Sequence, residues 1–552
     1  MKSLSNGKKL NKKVLNAAWA CHNKKWHTYQ LWDQPIRDKF QKVITFDPQE
    51  IFYKYGKDEM NKRFLEVLRK EKPDYIFLWL MYHEFDLDTL IKIKKILPNS
   101  IVFCYNGDDD YKFDNYTINY FPMIDYFMIT QVPYIAQADK GGKKAFYGCG
   151  ADITKFKPNN SKKDIDVSFV GTPKSERVNY MRHLLNNGIN IRVFGAAWQR
   201  YPEFKDHFGG EIDEKGFIEV INRSKINICL SQNYFGGTHI LERFFEINAC
   251  KSFCLTEHAS GYFPTFKEGT DIATFKNKDE LLSQVNYYLK NDKAREGIAN
   301  KAYLRSTKDF SNHNLLGNLI AYAEKNGPRI KGLDKISKKV IYLTKRDLRK
   351  GKGHLSTKTN GYDYIAFKQK RYKNLPYKDY FQVHALEFTN KPICSSDLLV
   401  KSSLIGDCSS LALHYAYDYL DKKYFYDNLK IAQLMVKRDY FLKNSSKFLD
   451  MYNGKPGILV KRENTVMTSL PLVSTSKVPL TPIENIEHIL FPYYGDKLLA
   501  IKNQGKLWAN SYPYKIIIYS LLFNRRLLKH IIKRDFSRSK IKIFEKISNK
   551  FK

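Results

Sequence analysis

Two glycines stand just ahead of an apolar-periodic run in Asn233-Tyr234-Phe235-Gly236-Gly237-Thr238-His239, which continues as Ile240-Leu241-Glu242-Arg243-Phe244-Phe245-Glu246-Ile247-Asn248-Ala249-Cys250. Glycine lets a phosphate approach the main chain, and the unpaired N–H groups at a helix N-terminus attract an anion. Thr238 occupies the expected N-cap. Glu246 falls about two helical turns beyond it, where a carboxylate can accept both hydroxyls of a ribose. The same residue on an amphipathic helix also reads as an ordinary solvent-facing Glu.

A second segment, Phe169-Val170-Gly171-Thr172-Pro173-Lys174-Ser175-Glu176-Arg177, reads as a strand ending in Gly171 and leading to a helix. That is where α/β sheets bind ligands. Lys174 and Arg177 can neutralise a diphosphate leaving group, or be solvated charge in a Lys-rich chain. Asp108-Asp109-Asp110 follows a strand. Carboxylates at i and i+2 can hold Mn or Mg on a diphosphate, and Asp108 alone can face a cleft as a base. His83-Glu84, after the strand expected to end near Leu80, is a further candidate pair; a lone His in such a loop also reads as structural. Ser395-Ser396-Asp397 and Asp407-Cys408-Ser409-Ser410 lack a recognisable base and read as caps and turns.

These residues need a scaffold, and the hydrophobic pattern supplies one. Strands are expected over 13–19, 73–80, 100–105, 125–129 and 144–147, with helices over 58–70 and 87–96 between them. A polar break at 158–163 is followed by renewed alternation: strands over 166–171, 191–195, 226–230, 252–256 and 272–275, and helices over 177–185, 216–223, 240–249 and 278–289. Alternating strands and helices imply parallel sheets. The expected organisation is a Rossmann-like domain over 1–157, a second over 158–325 and a linker over 326–339. An accessory domain over 340–513, with a long helix near 411–442, and a basic tail over 514–552 complete it.

With 552 residues, 43% of them hydrophobic, the chain can bury several cores. The formal net charge of +36, from 93 Lys and Arg against 57 Asp and Glu, attracts polyanions or reflects a Lys-rich surface. The eight cysteines form no zinc-ligand pattern and read as small buried hydrophobes in a reducing compartment. The N-terminus lacks the apolar core of a signal peptide, and no run of 18 apolar residues occurs. A cytoplasmic protein is expected.

Residues 166 to about 310 resemble the C-terminal domain of CgeB-like, spore-maturation-type glycosyltransferases, which belong with the GT-B group 1 superfamily. The resemblance rests on Val167-Ser168-Phe169-Val170-Gly171, Val193-Phe194-Gly195 with Trp198, Ser224-Lys225-Ile226-Asn227-Ile228, Arg243-Phe244-Phe245-Glu246 with Ala249-Cys250, and Thr270-Asp271-Ile272. Lys72-Pro73-Asp74, Gly107-Asp108-Asp109, Asp125-Tyr126, and Gly150-Ala151-Asp152 with Phe156-Lys157-Pro158 extend it over about residues 13–325.

It implies a GT-B-like pair of Rossmann-type domains with a central cleft, plus an additional mixed C-terminal domain. It also implies sugar transfer from a nucleotide sugar to an acceptor hydroxyl, in polysaccharide or glycoconjugate synthesis. The donor site belongs mainly to the second domain: Glu246 holds the ribose, and Gly171, Lys174, Arg177, Gly236, Gly237, Thr238 and Arg243 surround it. Asp108 and His83 are the catalytic candidates. No cofactor and no metal ion are expected, since GT-B enzymes generally need none. Thr238 stands where the wider family often has Glu, and Lys251 where Gly usually follows Ala-Cys; sugar identity therefore lies outside what the resemblance implies.

The rival from another class is a polyanion-binding protein on a degenerate transferase fold, but the Lys and Arg are dispersed and no nucleic-acid-binding motif occurs. A Rossmann oxidoreductase lacks support because no G-x-G-x-x-G follows the first strand. Beyond residue 514, about a dozen Lys and Arg face only Asp535 and Glu545. Ile517, Leu521, Leu528 and Ile532 share one helical face, with Arg525, Lys529 and Lys533 beside it. Such a helix suits an anionic membrane surface and a lipid-linked glycan acceptor, or packs on the preceding domain. Basic residues near such a surface add about 1 kcal/mol each. The full chain is therefore expected to co-sediment at low salt with vesicles containing anionic lipid, while a chain ending at Pro513 stays in solution. Equal behaviour of the two removes the membrane role.

Overall fold

The computed structural model describes residues 9–18, 21, 31–80, 85–107, 109, 113–114, 116–173, 175–230, 240–262, 265–333, 337–369, 373–374, 377–402, 406–410, 434–453, 465–475 and 490–492. The chain divides into two units. The first comprises Met1–Ile51, Asn61–Phe113 and Tyr120–Leu333; the second comprises Phe52–Met60, Asp114–Asn119 and Asp334–Lys552.

The N-terminal elements are β1 (Leu10–Ala18), α1 (Asp33–Lys39), β2 (Phe40–Thr45), α2 (Pro48–Tyr55), α3 (Lys57–Glu71), β3 (Tyr75–Trp79), α4 (Leu87–Ile96), β4 (Ile101–Asn106), β5 (Tyr126–Ile129), α5 (Val132–Lys140) and β6 (Lys144–Tyr147). The strands form a six-stranded sheet in the order β2-β1-β3-β4-β5-β6, with every pairing parallel. β3 and β4 are buried throughout, which is why they read as unbroken apolar runs. β2 escaped the sequence pattern because it is an edge strand carrying the exposed Gln41 and Lys42.

A second parallel sheet follows. Its elements are β7 (Ile165–Val170), α6 (Ser175–Asn186), β8 (Ile191–Phe194), α7 (Glu214–Arg223), β9 (Ser224–Cys229), α8 (Glu242–Ala249), β10 (Cys254–Glu257), β11 (Ala273–Phe275), α9 (Lys278–Lys290), α10 (Asp292–Lys308) and α11 (Asn312–Asn326). The strand order is β11-β10-β9-β7-β8, again all parallel. After β8 the chain crosses back over β7 to build the other side, so the winding reverses between β7 and β9.

The last helix does not stay with this sheet. Leu315, Leu316, Leu319, Ile320 and Ala323 of α11 join Phe40, Phe77, Phe103 and Met128 in the core of the first sheet. The return is stitched by main-chain bonds: Ala151 N–H donates to Phe310 O at 3.0 Å, and Asn312 N–H to Ala151 O at 2.9 Å. Gly150 makes this approach possible, because a Cβ there would lie 2.2 Å from the Phe310 oxygen.

The chain leaving α11 is held by Asp125, which is buried beside Lys94. One carboxylate oxygen accepts from Lys94 Nζ at 2.5 Å and Val102 N at 2.7 Å; the other accepts from Arg329 N at 2.8 Å and Ile330 N at 2.7 Å.

The second unit contains β12 (Val340–Leu343), α12 (Lys345–Arg349), α13 (Gly351–Lys358), β13 (Tyr364–Phe367), β14 (Lys373–Asn374), α14 (Lys378–Thr389), β15 (Ile393–Ser402), β16 (Gly406–Ser410), β17 (Leu434–Lys437), α15 (Arg438–Tyr452), β18 (Thr465–Thr475) and β19 (Leu490–Pro492). Its eight-stranded sheet mixes parallel and antiparallel pairs along β12-β13-β17-β15-β16-β19, with β18 beside β15 and β14.

Two sequence expectations are corrected in this unit. Of the helix expected near 411–442, residues 411–433 lie outside the described residues, and 434–437 form β17 instead, whose apolar Leu434-Met435-Val436 is buried between β13 and β15; a short apolar run is ambiguous between helix and strand. Ser395-Ser396-Asp397 and Asp407-Cys408-Ser409-Ser410 are strand residues of β15 and β16, not caps or turns. The basic tail over 514–552 lies outside the described residues. Among the described residues no helix is long and apolar enough to cross a membrane, and Cys21, Cys104, Cys149, Cys229, Cys250, Cys254 and Cys394 are buried free thiols.

Because Asp125 links α4, β4 and the chain after α11, Asp125→Ala strands a buried Lys94 and frees three main-chain donors. Breaking such a pair costs about 3–5 kcal/mol. A loss of that size is expected in urea unfolding of unit 1; a loss below about 1 kcal/mol would show the pair to be dispensable.

Candidate anion and nucleotide site

The carboxyl ends of β7 and β9 flank the reversal of the second sheet, and such a reversal opens a crevice above the strand ends. β7 runs directly into Gly171. The main chain is crowded there: Gly171 N–H donates to Phe194 O at 2.9 Å, and Trp198 Nε1–H donates to Gly171 O at 2.7 Å. Gly195, at φ +118°, packs against it so closely that a Cβ would come within 2.9 Å of the same oxygen. Only glycine meets both demands.

Two arginines converge on this corner from the helices that follow the two strands. Arg177, in the first turns of α6, is only 8% exposed, so it is not solvated surface charge. Its guanidinium lies 5.9 Å from the centre of the Phe169 ring, and Nη1 donates to Thr172 O at 3.5 Å. Arg243, in the first turn of α8, packs 5.5 Å from the centre of the Phe217 ring. A Cβ on Gly171 would meet Arg243 Nη1 at 3.4 Å, which places this guanidinium against the glycine corner. Arg243 Nε is buried without a hydrogen-bond partner.

Cys229, the last residue of β9, reports both charges. The Cys254 thiol donates to its sulfur and lowers its pKa against the effect of burial, and the fields of Arg243 and Arg177 lower it further. The crevice therefore holds two cations, a close-approach main chain and α8.

Glu246 lies one helical turn beyond Arg243 on α8 and is 3% exposed, which rules out a solvent-facing carboxylate. Its negative charge helps push the Cys250 thiol up to about 12, after the larger effect of burial. The N-cap of α8 is Leu241, with no side-chain cap, so Thr238 does not cap this helix as expected. The helix starts later because Glu242 is its first residue.

Gly171, Arg177 and Arg243 are thus brought together by β7, α6 and α8, and Glu246 lies buried on α8 a turn beyond Arg243. His83, Asp108, Lys174, Gly236, Gly237 and Thr238 lie outside the described residues. Asp109, the middle residue of the Asp108-Asp109-Asp110 metal candidate, is fully buried, and its N–H donates to Gln131 Oε1 at 3.1 Å; Asp110, like Asp108, lies outside the described residues. Among the described residues no group of three or more His, Cys, Asp or Glu is arranged to hold a metal ion.

Sequence reasoning missed Tyr105 and Glu242. Tyr105, near the end of β4, donates its phenol to Glu242 Oε1 at 2.6 Å, joining the carboxyl edge of the first sheet to the first residue of α8. Tyr105 reads as core within its apolar strand, and nothing local pairs it with a residue 137 positions away.

The architecture is a pair of Rossmann-like α/β domains on parallel sheets, to which the second, mixed α/β unit is added. Residues 177–321, which carry both arginines, α8 and the first part of the returning α11, match the model of a family described as glycosyl transferase-like. Among solved structures, the chain is similar to a sucrose-phosphate synthase from Thermosynechococcus elongatus at 10% identity and a TM-score of 0.43; the match covers 57% of this chain and 99% of that one. It is also similar to Anabaena Alr3699/HepE in complex with UDP, at 11% identity and a TM-score of 0.43, over 57% of this chain and 100% of that one. A glycosyltransferase from Rickettsia africae ESF-5 gives 12% identity and a TM-score of 0.41, over 57% and 98% of the two chains. No curated protein matches the chain.

If the two arginines form one anion site, pyrophosphate should bind and raise the unfolding temperature. Arg243→Ala should weaken that binding about tenfold, the loss expected for a charge-assisted hydrogen bond. Calorimetric titration checks this; equal affinity in both proteins would place the anion elsewhere.

Proposed function

We propose that this chain is a glycosyltransferase that moves a sugar from a nucleoside-diphosphate sugar to an acceptor hydroxyl. The observation that carries the reading is the convergence of Arg177 and Arg243 beside Gly171 at the sheet's reversal. Both arginines fall within the glycosyl transferase-like segment, residues 177–321, and Gly171 just precedes it.

In this reading the donor lies across the carboxyl ends of β7 and β9. Glu246 accepts the ribose hydroxyls, and the guanidinium groups take the diphosphate oxygens. The acceptor oxygen attacks the anomeric carbon, a new C–O bond forms, and the bond to the phosphate oxygen breaks. The acceptor proton passes to a base, for which Asp108 and His83 are the candidates. Negative charge grows on the departing diphosphate, so cations already in place lower the barrier without reorganising.

No metal ion is assigned a step. The acceptor is proposed to be a glycan carried at a membrane surface, in keeping with the basic amphipathic composition of residues 514–552. The subtype is proposed to be CgeB-like and the pathway polysaccharide or glycoconjugate synthesis.

The test is a panel of nucleotide sugars titrated calorimetrically into the full chain, followed by turnover with the one that binds. Glu246→Ala should weaken the binding of that donor by about 1.5–3 kcal/mol, the worth of hydrogen bonds to a charged group. Glu246→Gln keeps the volume of this buried side chain and controls for loss of packing. Donor binding that survives both substitutions unchanged would overturn the assignment of Glu246. Failure of every nucleotide sugar to bind the parent protein would overturn the function.

A further inference from the structure

The contact between Tyr105 and Glu242 lies outside the donor site but on the helix that carries it. Glu242 opens α8, and Glu246 follows four residues later, so the two carboxylates share one face a turn apart. Tyr105 is nearly inaccessible and held by rings on two sides: Trp32 at 5.5 Å between centroids and Trp79 at 4.8 Å. Its phenol therefore points from a rigid strand of the first sheet to a helix of the second domain.

The same carboxylate acts on other first-domain groups. Its charge adds to burial in raising the pKa of the Cys149 thiol and, more weakly, of the Tyr147 phenol, both just beyond or at the end of β6. Cys149 Sγ in turn donates to Ile240 O at 3.8 Å, two residues before α8. Tyr147 also meets Phe245 of α8 edge-on at 6.2 Å. The N-terminal end of α8 is thus fastened to the first domain at several points, with the Tyr105–Glu242 bond as the directional one.

We infer that Glu242 and Tyr105 form an inter-domain latch that positions α8, and with it Arg243 and Glu246, against the acceptor-side domain. The inference rests on the proposed sugar transfer. The donor's own contacts come from the second domain, so loss of the latch leaves donor binding nearly intact. Transfer needs the anomeric carbon and the acceptor oxygen in line, and small misplacements are costly there. Tyr105 and Glu242 are positioning residues in this account and touch neither substrate.

The experiment compares Tyr105→Phe, Glu242→Ala, Glu242→Gln and the Tyr105→Phe/Glu242→Ala double variant in the full chain. Donor affinity is measured by calorimetry and kcat at saturating donor and acceptor. Tyr105→Phe and Glu242→Ala should each lower kcat about tenfold or more while changing donor affinity less than about twofold. Glu242→Gln should recover most of the rate, since its amide oxygen still accepts the phenol proton. The double variant should be no slower than the worse single variant, because both substitutions remove one bond.

Independent, multiplying losses would overturn the latch, as would rates per folded molecule equal to the parent's. A parent protein that binds no nucleotide sugar would instead refute the functional reading and leave the Tyr105–Glu242 bond to be judged by the stability cycle of the same variants. There, additive losses would overturn it.

Discussion

A parallel sheet must be covered on both faces, and the first sheet of this protein receives part of one cover from the far end of the second domain. α11 brings Leu315, Leu316, Leu319 and Ile320 onto the face formed by Phe40, Phe77 and Phe103. Removing such a helix would expose several large apolar side chains, each worth about 1.5–3 kcal/mol of burial. The requirement has a geometric consequence. Because the chain must reach back from β11 through α9 and α10, the segment entering the second domain at Ala151 and the segment leaving it at residues 310–312 are bonded to each other. Tyr105 can then meet Glu242 across 137 residues of sequence. The position of α8 is thus tied to the fold of the first unit as a whole.

The crevice at β7 and β9 follows from winding alone. Two neighbouring strands whose crossovers leave in opposite directions cannot both be roofed by the same helix, so space remains above their ends. What is particular to this chain is how that space is lined. Gly171 and Gly195 keep side chains out of the floor, and the Trp198 indole holds the Gly171 carbonyl in place. The main chain is thereby open to a ligand, and charge comes from the helices on either side.

Much of this was legible in the amino-acid order. The α4 helix was expected over 87–96 and forms over Leu87–Ile96, because its apolar residues repeat at helical spacing. Gly171 was placed at a strand end for the same periodic reason. What depends on distant partners was not legible. The helix alone favours Glu246 as an ordinary surface residue, and nothing local signals its burial. Leu434-Met435-Val436 could not be told from helix without the strands that flank it. Ser395 looked like a turn residue because its polarity suits one, yet it sits in β15 at complete burial. β2 and the return of α11 were missed because an edge strand and a packed helix owe their places to tertiary contacts that no local pattern encodes.

The way the arginines are held carries the chemistry one step further. Elsewhere in the second domain arginine is neutralised by a carboxylate: Arg182 pairs with Glu203 at 2.6 Å and Arg223 with Asp164 at 2.6 Å. Arg243 is held differently. Its guanidinium lies over the Phe217 ring, and among the described residues it makes no ion pair. An aromatic face fixes a cation through its quadrupole and contributes no lone pair that would compete for the N–H donors. The guanidinium plane is thus oriented while its positive charge and forked donors stay available to oxyanions. A carboxylate partner in the same place would have offset the charge and occupied the fork. In a chain with a net charge of +36 positive potential is not scarce; what Arg243 adds is positive charge that is partly desolvated and directed by an aromatic face.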